Sequence, residues 1–273
     1  MIPTVDFFGT QISRLIVGGN PFEGHTYISK IASSDDMLDY YTAQKIVETL
    51  FKAEDMGYKT FLPIADDFML RIIRQYKNEG GKMNWIAQPH PTMMLDVNVR
   101  LMMNLEPVAI FHQGTMTDNL IEAGREDELL KNIEVIRKSG LPTGMCTHVP
   151  ENILRAEKEG WGIDFYMACV HNLRKNVKYE SSFITGVSHE FNFDPEDRAE
   201  MFQVIRQVNK PCIAFKILSG GNLAGTREML VNAFRETYQN IKPNDAAVVG
   251  IFERDKNQLR ENAQIVEELL MQA

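Results

Sequence analysis

Residues 142–171 read PTGMCTHVPENILRAEKEGWGIDFYMACVH. An apolar run, PTGMCTH (142–148), gives way to an amphipathic stretch over about 150–159, and a second apolar run follows, DFYMACVH (164–171). Gly160 stands where a helix would end. The spacing predicts strand, helix, strand. The same alternation extends in both directions. Further strands are expected at RLIVGG (14–19), KTFLPI (59–64), NWIAQ (84–88), VAIFHQ (108–113), CIAFKIL (212–218) and AAVVGIF (246–252). Helices fit over about 42–56, 67–78, 92–105, 126–138, 195–208, 226–239 and 256–271. In the last of these, Leu259, Ile265, Val266, Leu269 and Leu270 share one face. Asp194 before Pro195 marks a helix start, and Gly57 and Gly140 mark ends.

Alternating strands and helices imply a parallel sheet with crossover helices, and near-continuous apolar strands imply one buried on both faces. Eight such units predict one α/β domain over residues 1–273, closed into a (β/α)8 TIM barrel. The structural rival is an open doubly wound sheet, which usually carries a glycine-rich GxGxxG turn after its first strand. GGNPFEG (18–24) is not that turn. In a barrel the carboxyl ends of the strands meet on one rim, where active sites are built. Five of the six histidines, His25, His90, His112, His148 and His171, fall at or just after predicted strand ends.

A formal net charge of -8 and the lack of a basic run argue against a nucleic-acid partner. No stretch has the roughly 18 apolar residues of a membrane helix, and MIPTVDFFGT lacks the pattern of a signal peptide. Cys146, Cys169 and Cys212 are an odd set, each inside an apolar run, and read as reduced core thiols. A cytoplasmic enzyme acting on a small molecule is expected. Two stretches after strands are long, 20–41 and 172–193. The second carries Tyr179, Phe183, His189, Phe191 and Phe193, and its length suggests a lid or binding loop.

Several segments resemble the aldo/keto reductase superfamily of barrels. FFGTQISRLIVGGNPFEG (7–24) is similar to that family's opening, where a short hairpin precedes the first strand. KPCIAFKILSGGNLAG (210–225) and DAAVVGIFERDKNQLREN (245–262) look like its seventh and eighth strands with their loops, and 144–173 looks like the fifth and sixth strands of divergent members. The resemblance implies a short N-terminal hairpin and an NAD(P)-linked carbonyl reductase. Its pyrophosphate and adenosine would lie against Ser219, Gly220, Gly221, Asn222, Arg254, Lys256 and Asn262. The family's catalytic set departs here. Pro63 stands near the aspartate position, Phe68 near the tyrosine and Gln88 near the lysine. Only His112 matches. Phenylalanine cannot donate a proton, so another acid is required.

The candidate catalytic groups are His112, Lys216 and Asp66. His112 ends a strongly apolar strand and could polarise a carbonyl oxygen; its structural alternative is a hydrogen-bonded core histidine. Lys216 lies in CIAFKIL, where an ammonium is costly to bury unless paired. It could act on a substrate oxygen, or pair with a rim carboxylate such as Glu253. Asp66 follows the second strand, where it could face the rim or start a helix. Asn20, Gln88, His148, His171, Asn172 and Glu253 are candidate substrate contacts at other strand ends. Three functions follow: an atypical oxidoreductase for a small polar carbonyl or hydroxyl compound, a non-redox isomerase, epimerase or lyase for a similar compound, and a barrel that only binds. In the second, a divalent metal held by histidines and carboxylates is the alternative cofactor.

Overall fold

The computed structural model describes residues 1–175, 182–187, 190–191 and 193–271. A hairpin comes first, β1 (Thr4–Phe7) and β2 (Thr10–Ser13), with Phe7 opposite Thr10. Its two-residue turn places Phe8 at φ 53° and Gly9 at φ 84°, the double positive φ that suits the twist of a tight hairpin.

The barrel strands follow: β3 (Leu15–Gly18), β4 (Thr60–Leu62), β5 (Ile64–Ala65), β6 (Asn84–Pro89), β7 (Ala109–His112), β8 (Thr143–Thr147), β9 (Phe165–Cys169), β10 (Cys212–Phe215) and β11 (Ala246–Gly250). Every pairing among them is parallel, and the sheet closes where β11 pairs with β3, Val249 opposite Val17. β4 and β5 are one barrel strand in two pieces, both paired with β6. The break falls at Pro63, which has no N–H to give to the ladder; its carbonyl still accepts from Gln88 N at 3.2 Å. Counting β4 and β5 together gives the expected eight strands.

Around them run α1 (Ser34–Tyr40), α2 (Ala43–Asp55), α3 (Asp67–Asn78), α4 (Leu95–Met103), α5 (Gly114–Glu122), α6 (Glu126–Arg137), α7 (Pro150–Glu159), α8 (Ser182–Thr185), α9 (Glu196–Gln207), α10 (Arg227–Asn240) and α11 (Gln258–Met271), with 3-10 turns at Asn20–Glu23 and Ser219–Ala224. Strand side chains alternate between two cores. One set, including Leu15, Val17, Tyr166 and Ala247, packs beneath the helices. The other fills the barrel: Ile16, Leu62, Ile86, Phe111, Met167, Ile213 and Val248, with Phe7 and Ile12 of the hairpin closing the amino-terminal end. Among the described residues no helix is long and apolar enough to cross a membrane.

α1, α5 and the four-residue α8, which falls in the stretch expected as a loop, lie outside the expected helices. α1 is short and held by a reciprocal cap between Ser33 and Asp36. α5 follows β7 directly and buries Thr115, Thr117 and Asp118, so its inner face is polar and gives no apolar period.

Candidate active site

A cavity of about 540 Å³ opens at the carboxyl end of the barrel. That is a usual size for a small-molecule site. Leu62, Met167, Phe215 and Val248 supply apolar wall; Asn20, His25, Gln88 and Gln113 supply polar groups. Lys216 stands among them, one residue past the end of β10. It has φ 59°, a left-handed conformation that costs a non-glycine residue about 1–2 kcal/mol. Its carbonyl accepts from Ser219 N at 2.9 Å, which closes the turn that holds it there.

Lys216 Nζ lies 3.1 Å from His148 Nε2. His148 Nδ1 lies 2.7 Å from Asp118 Oδ2, which also accepts from the His148 amide at 3.1 Å. Asp118 is fully buried on α5. Its other oxygen accepts from Thr147 Oγ1 and from Asn152 Nδ2. A carboxylate so placed fixes the histidine tautomer: Nδ1 carries the proton, and Nε2 is left to accept from lysine. Burial, and then the charge of Lys216, push the His148 pKa down, so the ring is neutral near neutral pH. Nζ also sits 4.5 Å from the centre of the Tyr27 ring and 5.1 Å from that of Phe215. Asn20 Nδ2 donates to Tyr27 Oη at 2.6 Å and holds that ring over the lysine. Lys216, His148 and Asp118 therefore form one hydrogen-bonded chain from the cavity into the protein.

The other predicted catalytic residues lie elsewhere. His112 is buried and bonded at both nitrogens, to Thr117 Oγ1 at 2.7 Å and Asn132 Nδ2 at 3.3 Å. Thr117 Oγ1 donates to Gln113 O, so it accepts from His112 Nδ1, and Nε2 accepts from Asn132. Burial pushes this ring to about 4. It does not line the cavity. Asp66 caps α3, accepting from Met69 N at 2.7 Å.

Among the predicted substrate contacts, Asn20, Gln88 and His148 line the cavity. His171 lies off it and ties two segments together, its Nδ1 3.0 Å from Asp194 O and its Nε2 2.9 Å from Ser219 Oγ. The Asn172 amide donates to Asp197. Glu253 is turned inward, where it pairs with Lys52 and accepts from Leu259 N at 2.8 Å. It is not the partner of Lys216.

Of the predicted cofactor set, Gly220, Gly221, Asn222 and Lys256 line the cavity. Ser219 is held under it by His171. Arg254 does not line it and is paired with Asp36 and Asp255, and Asn262 is buried within α11. The lining set suits one phosphate-sized group: two glycines at φ 66° and 106° expose backbone, and Lys256 brings positive charge. For a whole dinucleotide, three of the seven residues are missing from the wall, and Asp255 adds a carboxylate to it. Among the described residues, no group of three or more His, Cys, Asp or Glu side chains could hold a metal ion, so the metal alternative finds no ligand set there.

Residues 182–187, 190–191 and 193 belong to the expected lid. Ser182, Phe183 and Phe191 line the cavity, and Ser182 Oγ lies 3.0 Å from His25 Nδ1. Tyr179 and His189 lie outside the described residues.

Sequence reasoning missed Tyr27 and Gln113, which line the cavity, and Asp118, which lies behind His148. The signal available for Asp118 was the length between the fourth and fifth strands, which leaves room for a helix before the one expected at 126–138.

No family model matches the chain, and no curated protein matches it. Solved structures do. Dihydropteroate synthase from Xanthomonas albilineans is similar over 100% of this chain and 98% of that one, with TM-score 0.55 and 11% identity. An aldo/keto reductase from Brucella melitensis matches over 97% and 93%, with TM-score 0.54 and 12% identity. A truncated 3-deoxy-D-arabino-heptulosonate 7-phosphate synthase from Thermotoga maritima matches over 99% and 90%, with TM-score 0.54 and 10% identity. Likeness at such identity shows the barrel fold, which hosts many chemistries.

Proposed function

We propose that this chain is an enzyme that moves protons on a small polar carbonyl or hydroxyl compound, of the isomerase, epimerase or lyase kind. The hydrogen-bonded chain Lys216–His148–Asp118, opening into the cavity, carries this reading. An ammonium at Nζ can stabilise charge that develops on a substrate oxygen. His148, neutral and held by Asp118, can take a proton from Nζ and return it. The polar groups Asn20, Gln88 and Gln113 suit hydroxyls, and the lining of Gly220, Gly221, Asn222 and Lys256 suits a phosphate on the same compound.

The test is solvent exchange. Protein incubated in deuterium oxide with dihydroxyacetone or its phosphate is expected to exchange the carbon-bound protons beside the carbonyl, followed by proton NMR. Lys216→Met is expected to slow exchange by about 10²–10⁴-fold. Equal exchange by both proteins would sink the reading.

One observation favours a second reading, the nicotinamide-linked oxidoreductase. The loops after the seventh and eighth strands face the cavity with two glycines and a lysine. NAD(P) bound there would supply hydride, and Lys216 would supply the proton for the carbonyl oxygen. Saturable quenching or enhancement of NADPH or NADH fluorescence on titration would move the assignment to this class.

A further inference from the structure

We infer that Lys216 is a covalent nucleophile that forms an imine with the carbonyl carbon of its substrate. The inference rests on the carbonyl reading above and deepens it. An ammonium used only as a point of positive charge needs no base aligned with one of its protons. Here a base is aligned. Nζ, His148 Nε2 and Asp118 Oδ2 stand in sequence at 3.1 Å and 2.7 Å. That is the arrangement of an activated nucleophile: an attacking atom, a base in hydrogen-bond reach, and a buried third group that orients the base. Asp118 also offsets the charge the ring gains while it holds a proton.

The atoms balance without any further reactant. The Lys216 ammonium gives one proton to His148. The amine nitrogen then bonds to the carbonyl carbon as the carbon–oxygen π bond opens, and His148 returns its proton to that oxygen. A carbinolamine results. Its hydroxyl leaves as water with a second nitrogen-bound proton, and a protonated imine remains. The product is cationic at nitrogen, where the Tyr27 and Phe215 rings lie 4.5 Å and 5.1 Å from Nζ. Ring faces at that range favour a cation before and after the bond forms. The left-handed backbone at Lys216 and the bond from Ser219 N to its carbonyl fix the point from which the side chain departs.

The experiment is reductive trapping. Protein is incubated with saturating dihydroxyacetone, glycolaldehyde or pyruvate, with and without sodium borohydride, then digested and mapped by mass. The expected result is a borohydride-dependent adduct on Lys216, saturable in the carbonyl compound, and enriched about tenfold or more over exposed Lys256. Lys216→Arg keeps the charge and is expected to lose the adduct at that peptide. His148→Gln is expected to slow its appearance by about 10²-fold. If none of the three compounds enriches Lys216 while the wild-type protein still exchanges deuterium, the imine is overturned and the acid–base reading stands. If neither adduct nor exchange occurs, both fall together.

Discussion

A carboxyl group buried beside a second carboxylate keeps its proton far above the usual carboxylate range, and Glu23 is such a group. Both its oxygens are buried, and the side chain facing them is Asp66, to which only a protonated Glu23 can donate. Burial first, and the neighbouring Asp66 second, raise it from 4.5 to about 9. The folded state therefore holds this proton where the unfolded chain has lost it. That contribution to stability is complete below about pH 4.5 and is lost as pH rises toward 9. His25, His112 and His171 act in the opposite sense. Burial is the main cause that lowers each from 6.5 to about 4, so their contribution is present above about 6.5 and is lost as pH falls through 4. Urea unfolding between pH 4 and 9 is expected to show a maximum near the middle of that range. Glu23→Gln is expected to flatten the alkaline side and to steepen the rise between about pH 4.5 and 6.5, where Glu23 opposes the histidines; an unaltered alkaline slope would show that another group causes it. In the relay, Asp118→Asn removes the carboxylate that fixes the His148 tautomer. Its expected effect is a loss of about 10²-fold or more in deuterium exchange, with lysine still present. Wild-type exchange by this variant would remove Asp118 from the mechanism.

The elements that carry the site come from strand ends far apart in sequence, and their glycines decide how closely they approach. Gly220 has φ 66°, and a Cβ there would lie 2.8 Å from the Phe193 ring and 3.0 Å from Tyr27 Cβ. Gly220→Ala thus strains the backbone by about 1–2 kcal/mol and pushes on the ring that covers Lys216. A melting point a few degrees lower and slower exchange are expected together. Gly221 has open room by comparison, with Ile31 3.4 Å away, so Gly221→Ala is expected to show the backbone cost with less effect on exchange. Strand elements were legible in the sequence because a sheet covered on both faces writes continuous apolar runs. The interruption at Pro63 was not, since a one-residue break leaves the run apolar. α5 was hidden for the opposite reason: Thr117 and Asp118 are buried by hydrogen bonding and not by hydrophobicity. Single side chains were legible by type but not by direction. His112 and His148 both end apolar strands; one turns outward to Thr117 and Asn132, the other inward to Lys216. Likewise Glu253 was readable as a rim carboxylate, while its bond to the start of α11 depends on where the chain folds back.

At the scale of the whole molecule the barrel separates its two duties along its axis. The carboxyl end holds the cavity, and the amino end is closed by the hairpin, where Phe7 stands 2% exposed with its ring 5.0 Å from that of Phe165 on β9. Phe7 and Ile12 belong to the same interior core as residues from all eight barrel strands, so the hairpin binds every strand into one packed unit. Removing the Phe7 ring leaves a hole that the surrounding strands cannot close, because a closed sheet has no free edge to shift. Phe7→Ala is expected to cost about 3–5 kcal/mol in global stability. That loss should appear in one cooperative transition, read by both fluorescence and far-ultraviolet circular dichroism during urea unfolding. Below the transition, Lys216 trapping and deuterium exchange should keep their wild-type rates, since the cavity lies at the other end of the barrel. Two separated transitions would show that the hairpin folds apart from the barrel. A fall in exchange while the fold is intact would show that the interior core, and not the rim alone, sets the position of the site.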